Sequence, residues 1–170
     1  KYPIFNDDAI INALKDDGVS PLDAQDYSVV GCVEPTPSGN TMGLTNACFF
    51  NVAKCLELAL NDGVCILSGK QLGPKTGKIE EMKSFEDIIK AFETQLDYFV
   101  DQTILAMNTI IKVIERFTPH IYCSLITDDC IETGKDSAAG GTRYNYVGIQ
   151  GVGIIDVADS LLVLKKLVFE

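Results

Sequence analysis

Gly31-Cys32-Val33-Glu34-Pro35, reached through Asp26-Tyr27-Ser28-Val29-Val30, is the stretch around which the rest of the chain is organised. β-Branched Val29 and Val30 and aromatic Tyr27 predict a short strand. Gly31 permits close approach of a backbone or ligand, and Pro35 stops the strand. In extended backbone, residues two apart share a face, roughly 6–7 Å apart along the strand. Cys32 and Glu34 then present a thiol and a carboxylate side by side to one substrate. The same pattern also suits a small buried thiol beside a solvated strand end, so the residues alone leave a structural role open.

The chain of 170 residues is long enough for one domain with a core. Its 46% apolar and 22% charged composition is that of an ordinary globular protein. A net charge of −10 argues against a nucleic-acid partner, which needs a basic face. No apolar run approaches a bilayer span and no basic-then-apolar leader is present, so we expect no membrane association and a cytoplasmic location. Six cysteines, at 32, 48, 55, 65, 123 and 130, form no C-x-x-C, and the lone histidine, His120, cannot complete a zinc finger. We expect no metal site and no disulfide framework, with five cysteines as buried thiols and one as chemistry.

Along the chain, Asp7 or Asp8 caps a short helix over Ala9–Leu14 that Gly18 ends, and Ser20-Pro21 opens another turn. Thr36–Gly43 is loop by composition, either a source of substrate contacts or a plain connector. Thr45–Leu60 reads as one helix, apolar nearly all round, with Cys48 and Cys55 on one face and Asn61-Asp62-Gly63 as its stop. Val64–Leu67 is a short apolar strand or a buried connection. Gly73-Pro74-Lys75-Thr76-Gly77-Lys78 fails as a phosphate loop: its glycines are one residue too close, and Ile79 stands where a hydroxyl should hold magnesium. It reads as an exposed turn.

Ser84 and Asp87 form a capping-box pattern. Apolar residues from Phe85 to Phe117 then recur at three- and four-residue steps until Pro119, predicting a helix about 50 Å long. The spacing drifts from strict heptads, which favours a scaffold helix over a coiled coil. His120 reads as structural. Ile121–Ile126 looks strand-like, and Asp128–Glu132 makes a short helix near Gly134, its acids complementing the dipole. Tyr144–Ile154 is a glycine-laced strand leading to a helix capped by Asp156. Its G-x-x-G-x-G order is not a dinucleotide fingerprint, and Gln150 is a candidate cavity contact.

Gly31-Cys32-Val33-Glu34-Pro35 resembles the active-site motif of the glycyl radical enzymes, the pyruvate formate-lyase-like superfamily. The branch is that of glycerol and diol dehydratases, choline lyase and aryl-acetate decarboxylases. Phe5-Asn6-Asp7-Asp8, Phe49-Phe50-Asn51, Asn61-Asp62-Gly63, Gly73–Gly77, Asp129–Asp136, Gly140-Gly141, Tyr144-Asn145, Gln150–Gly153 and Ala158–Leu161 are similar to that family in the same order. The resemblance covers nearly the whole chain. It implies an α/β fold, part of a large barrel with long outer helices, and makes residues 1–170 a fragment of the catalytic domain. Lys1 in place of a start methionine, and an end directly after an apolar helix, fit an internal segment of a chain several times longer.

The resemblance further implies that Cys32 carries a thiyl radical and Glu34 is the general base. A β leaving group, often water, is then eliminated from a small hydroxylated substrate. Thr45 and Asn46, thirteen and fourteen residues past the cysteine, take positions that touch substrate in the family. Glycerol dehydratases carry aspartate at the second; Asn46 lacks that charge, which argues against glycerol. Val33 replaces the second cysteine of pyruvate formate-lyases, which argues against acyl transfer to coenzyme A. No cofactor is expected on this segment. The glycyl radical belongs to another part of the enzyme, in an Arg-Val-x-Gly-Tyr loop absent from these residues. A radical activating enzyme using S-adenosylmethionine and an iron–sulfur cluster installs it. Implied partners are the substrate, that activase, the remainder of the chain and a second subunit in a homodimer; the segment alone is expected to be inactive. An aryl-acetate decarboxylase and a catalytically silent fragment are the alternatives. A lone histidine supports neither Cys–His nor Ser–His–Asp hydrolysis, and a carboxylate beside the thiol disfavours the thiolate.

Overall fold

The computed structural model describes residues 5–31 and 33–170; Cys32 lies outside the described residues. The elements run α1 (Asp7–Asp16), α2 (Pro21–Gln25), β1 (Tyr27–Val30), β2 (Glu34–Pro37), β3 (Leu44–Asn51) and α3 (Val52–Leu60). They continue with α4 (Phe85–Phe117), α5 (Ile121–Ile126), α6 (Cys130–Thr133), β4 (Val147–Val152) and α7 (Ile154–Leu164). This is a mixed α/β architecture. β1 pairs antiparallel with β2 in the register Tyr27↔Pro37 to Val30↔Glu34, and β3 pairs with β4 in a second two-stranded sheet.

Two compact units emerge. One holds the chain up to Ala47 together with Asn108–Gly148; the other holds Cys48–Met107 and Ile149–Glu170. In the first, buried Leu14, Val19 and Ala24 pack with Ile10, Ile11, Tyr27, Tyr144 and Tyr146. In the second, Leu56, Ile88 and Val157 form the centre, joined by Val52, Met82, Phe92 and Leu161.

Several local expectations hold. Ser20 caps α2, its hydroxyl accepting from the Asp23 N–H at 3.1 Å. Ser84 and Asp87 close a reciprocal box at the start of α4, a helix of 33 residues. Gly63 follows α3 at φ +78°, its N–H returning to the Leu58 carbonyl.

Others are corrected. The cap of α1 is Asn6, which accepts from the Ala9 N–H; Asp7 and Asp8 occupy the first turn. The expected helix over 45–60 is a strand as far as Asn51 and a helix only from Val52. Asn51 caps that helix through the Lys54 N–H. A run that is apolar nearly all round carries little period to separate the two states, and Phe49 and Phe50 suit a strand paired with β4. Cys48 and Cys55 therefore do not share a helix face. Ile121–Ile126 is helical rather than extended. Val64 makes an isolated antiparallel bridge to Gln71 and Cys65 is buried, but Ile66 and Leu67 lie exposed in a turn, so the segment is only in part a buried connection. α7 is capped by Gly153 at φ +81°, with Asp156 in its first turn. Gly73–Lys78 is docked against α4, where the wholly buried Gln95 donates to the Pro74 carbonyl at 2.6 Å and to Thr76 Oγ1 at 3.2 Å.

Candidate active site

β1 and β2 form a hairpin, so the chain does not continue as one extended strand through Glu34. Gly31 adopts φ +63°, a left-handed conformation that residues with a Cβ rarely take. Pro35 and Pro37 do not end the strand; they lie within β2. On a two-stranded ribbon every strand is an edge, and the missing proline N–H costs little there. Val33 lies in the turn and not in a strand, so alternation along a strand does not relate Glu34 to the residues before it.

The turn folds the Glu34 side chain back onto the backbone that precedes it. Its Oε2 accepts the Val33 N–H at 2.9 Å, and a Cβ built on Gly31 would lie 2.9 Å from that oxygen. The carboxylate thus folds over both sequence neighbours of Cys32, and Glu34 is half-buried. Thr45 and Asn46 sit in the other sheet, on β3. Adjacent residues of a strand face opposite ways, and Thr45 is half-buried while Asn46 is exposed. The Thr45 carbonyl lies directly against Gly148, where a Cβ would not fit.

Beneath the hairpin lies a polar cluster that the sequence pattern signals only through Ser20-x-x-Asp23. The Asp23 Oδ2 accepts from Ser20 Oγ at 2.7 Å, Tyr144 Oη at 2.8 Å and Arg143 Nη1 at 3.5 Å; Oδ1 accepts from Asn40 Nδ2 at 3.0 Å. The Ser20 and Tyr144 hydroxyls, with Arg143 adding its charge, hold the Asp23 carboxyl below the ordinary range. Arg143 also grips Asp129 in a two-pronged pair, Nε at 2.9 Å and Nη2 at 3.0 Å. That pair lowers the Asp129 pKa and raises that of Arg143. Asp129 stands at φ +72° before α6, so it is an ion-pair partner rather than simply a charge on the helix dipole.

A cavity of about 300 Å³ opens in the same unit, lined chiefly by apolar side chains including Met42, Leu44, Ile111, Ile114 and Tyr146. His120 lines it, with Nδ1 buried and unbonded. None of Glu34, Thr45 and Asn46 does, although Gly43 and Leu44 beside them do. Among the described residues no cluster of three His, Cys, Asp or Glu could hold a metal ion, and no helix is long and apolar enough to cross a membrane.

The chain is 36% identical over 167 residues to (2S)-3-sulfopropanediol dehydratase of Klebsiella oxytoca, covering 98% of this chain and 20% of that one. It is 39% identical over 166 residues to trans-4-hydroxy-L-proline dehydratase of Clostridioides difficile, covering 98% and 21%. It superposes on the glycerol-bound B12-independent glycerol dehydratase of Clostridium butyricum with a TM-score of 0.92 at 42% identity, covering 97% of this chain and 21% of that one. The chain spans about a fifth of the length of the curated relatives it matches. The family profile described as pyruvate formate lyase-like matches residues 2–170. With that match over nearly its whole length, the chain belongs to the pyruvate formate lyase-like family, the glycyl radical enzymes whose motifs it resembles.

Proposed function

We propose that these residues are the cysteine-hairpin segment of a glycyl radical dehydratase that eliminates a leaving group, often water, from a small hydroxylated substrate. The observation that supports this is the turn at Gly31, over which the Glu34 carboxylate folds back to accept the Val33 N–H. A glycyl radical in another part of the complete enzyme, installed by a radical S-adenosylmethionine activase, supplies the unpaired electron. Cys32 gives its thiol hydrogen atom to that radical, and the sulfur then takes a hydrogen atom from a substrate carbon that bears a hydroxyl or an amine. Glu34 accepts the proton of that hydroxyl or amine, so the spin-bearing carbon gains negative charge and expels the β substituent. Glu34 returns its proton to the departing hydroxide, which leaves as water. Cys32 returns the hydrogen atom, leaving a carbonyl or imine product. Thr45 and Asn46 touch the substrate in the complete enzyme, at a site other than the cavity of about 300 Å³ described above. The two curated relatives named above are dehydratases, which favours elimination over decarboxylation.

In the complete enzyme we propose that residues 1–170 are part of a large α/β barrel within the catalytic domain, with α4 as an outer helix. The homodimer is cytoplasmic. The exposed Ile121, Tyr122, Leu125, Ile126, Leu167 and Val168, each more than 60% accessible, support burial against the remainder of such a chain. Free thiols at Cys48, Cys55, Cys65, Cys123 and Cys130 suit an oxygen-free compartment. The test is the full-length protein, activated and assayed with (2S)-3-sulfopropanediol and trans-4-hydroxy-L-proline. Cys32→Ser and Glu34→Gln should each lower turnover at least about 100-fold, a general-base-sized loss. Full turnover in Cys32→Ser identifies a silent scaffold; conversion of aryl acetates alone identifies a decarboxylase.

A further inference from the structure

We propose that Asp23 is a positioning residue for the Cys32–Glu34 turn: its carboxylate locks the base of the β1–β2 hairpin to the 143–144 segment. The inference rests on Cys32 and Glu34 being the reacting pair. A carboxylate serving only as a helix cap would need nothing beyond the Ser20 hydroxyl and its own N–H. Asp23 instead collects donors from the segment entering the hairpin (Ser20), the segment leaving it (Asn40) and a third segment some 120 residues away (Arg143 and Tyr144). Tyr144 Oη returns a bond by accepting the Ser20 N–H at 3.0 Å. Asn40 is 4% accessible, and the Asp23 side chain 16%. The backbone reinforces the same junction: Tyr144 N–H donates to the Asn40 carbonyl at 3.2 Å, and Ser38 N–H to the Asp26 carbonyl at 3.1 Å.

Leverage makes this junction matter to the chemistry. At about 3.3 Å per strand residue, the turn stands about 13 Å beyond Tyr27, so a rotation of about 4° at the base moves it by about 1 Å. A displacement of about 1 Å at a reacting centre lowers turnover about 100-fold. Asp23 is remote in sequence from its Arg143 and Tyr144 partners, which is why no local motif reveals it.

Asp23→Asn and Tyr144→Phe are made in the full-length protein, and each is compared with the parent at matched circular dichroism. Radical content is read by electron paramagnetic resonance, and turnover with the two probes named above. Radical per subunit should be unchanged, turnover per radical should fall about 10- to 100-fold, and KM should stay within about threefold. A substrate-free measurement accompanies these: the rate at which iodoacetamide alkylates Cys32. With Glu34 and Cys32 as the reacting pair of the proposed function, the carboxylate disfavours the thiolate, so loosening the turn should raise that rate several-fold. Should Asp23→Asn fail to fold, Tyr144→Phe, which loses one hydroxyl, carries the test. An alkylation rate unmoved in both folded variants, or in Tyr144→Phe alone if Asp23→Asn does not fold, overturns the proposal whatever the turnover. Cys32→Ser separates the two claims. If it keeps full turnover, the radical chemistry itself is wrong; if it is dead while Asp23→Asn matches the parent, only the positioning role is.

Discussion

Replacing Gln95 should release the 72–78 segment from α4. Gln95 is wholly buried, and its Nε2 supplies a donor to the Pro74 carbonyl at 2.6 Å and to Thr76 Oγ1 at 3.2 Å. Its Oε1 has no partner and lies against Gly73, where a Cβ would not fit. Gln95→Leu preserves most of the volume but orphans the Pro74 carbonyl, a loss of about 1–3 kcal/mol. Removing the unbonded Oε1 returns part of that, leaving about 1–2 kcal/mol, or about 5- to 30-fold more frequent local opening. Hydrogen exchange reports it directly, because the Leu72 and Gly73 N–H groups donate to the Gly63 carbonyl and the Gly77 N–H to Asp62 Oδ1. Gln95→Glu adds a sign test. Burial raises the folded-state pKa of a glutamate above its unfolded value of about 4.3, so the penalty is full at neutral pH and vanishes below that value. Its exchange should converge on that of the parent as pH falls. Exchange at 72–78 unchanged in Gln95→Leu would refute the tether.

Two further outcomes follow from the same geometry. Gly31→Ala forces a Cβ into left-handed backbone at a cost of about 1–2 kcal/mol and within 2.9 Å of Glu34 Oε2. Its expected signature is lower turnover in the full-length enzyme with radical content retained; an unchanged kcat would contradict the placement of Glu34. The Asp87 pKa is lowered by the Ser84 hydroxyl and by the Lys83 and Ser84 N–H groups. Its stabilisation is therefore complete above the ordinary carboxylate pKa and lost as pH falls through the lower folded value. Protection of the first turn of α4 should hold down to about pH 5 and weaken as pH falls further, and Asp87→Asn should flatten that dependence.

Where a residue's fate is decided within four positions of itself, the sequence is legible. Ser20 and Ser84 announce their helices because hydroxyl and N–H are brought together by the helical turn itself. The 33-residue α4 shows its period because one stripe is apolar and the rest is not. Thr45–Leu60 is opaque for the opposite reason: apolar nearly all round, it suits strand or helix, and the pairing of β3 with β4 selects strand up to Asn51. Likewise nothing near Ile121–Ile126 favours helix over its β-branched and aromatic content.

The candidate site divides the same way. Sequence alone determined its chemical inventory: a thiol and a carboxylate two residues apart, a glycine before them, and motifs in family order along nearly the whole chain. Tertiary structure decided the geometry. Left-handed Gly31 turns the chain into a hairpin, Glu34 folds back over that turn, and Asp23 joins segments more than a hundred residues apart. Local bonds are chosen by the chain's own stereochemistry. Asp23 meets Tyr144 and Arg143 only because folding has already met the entropy of closing so long a loop.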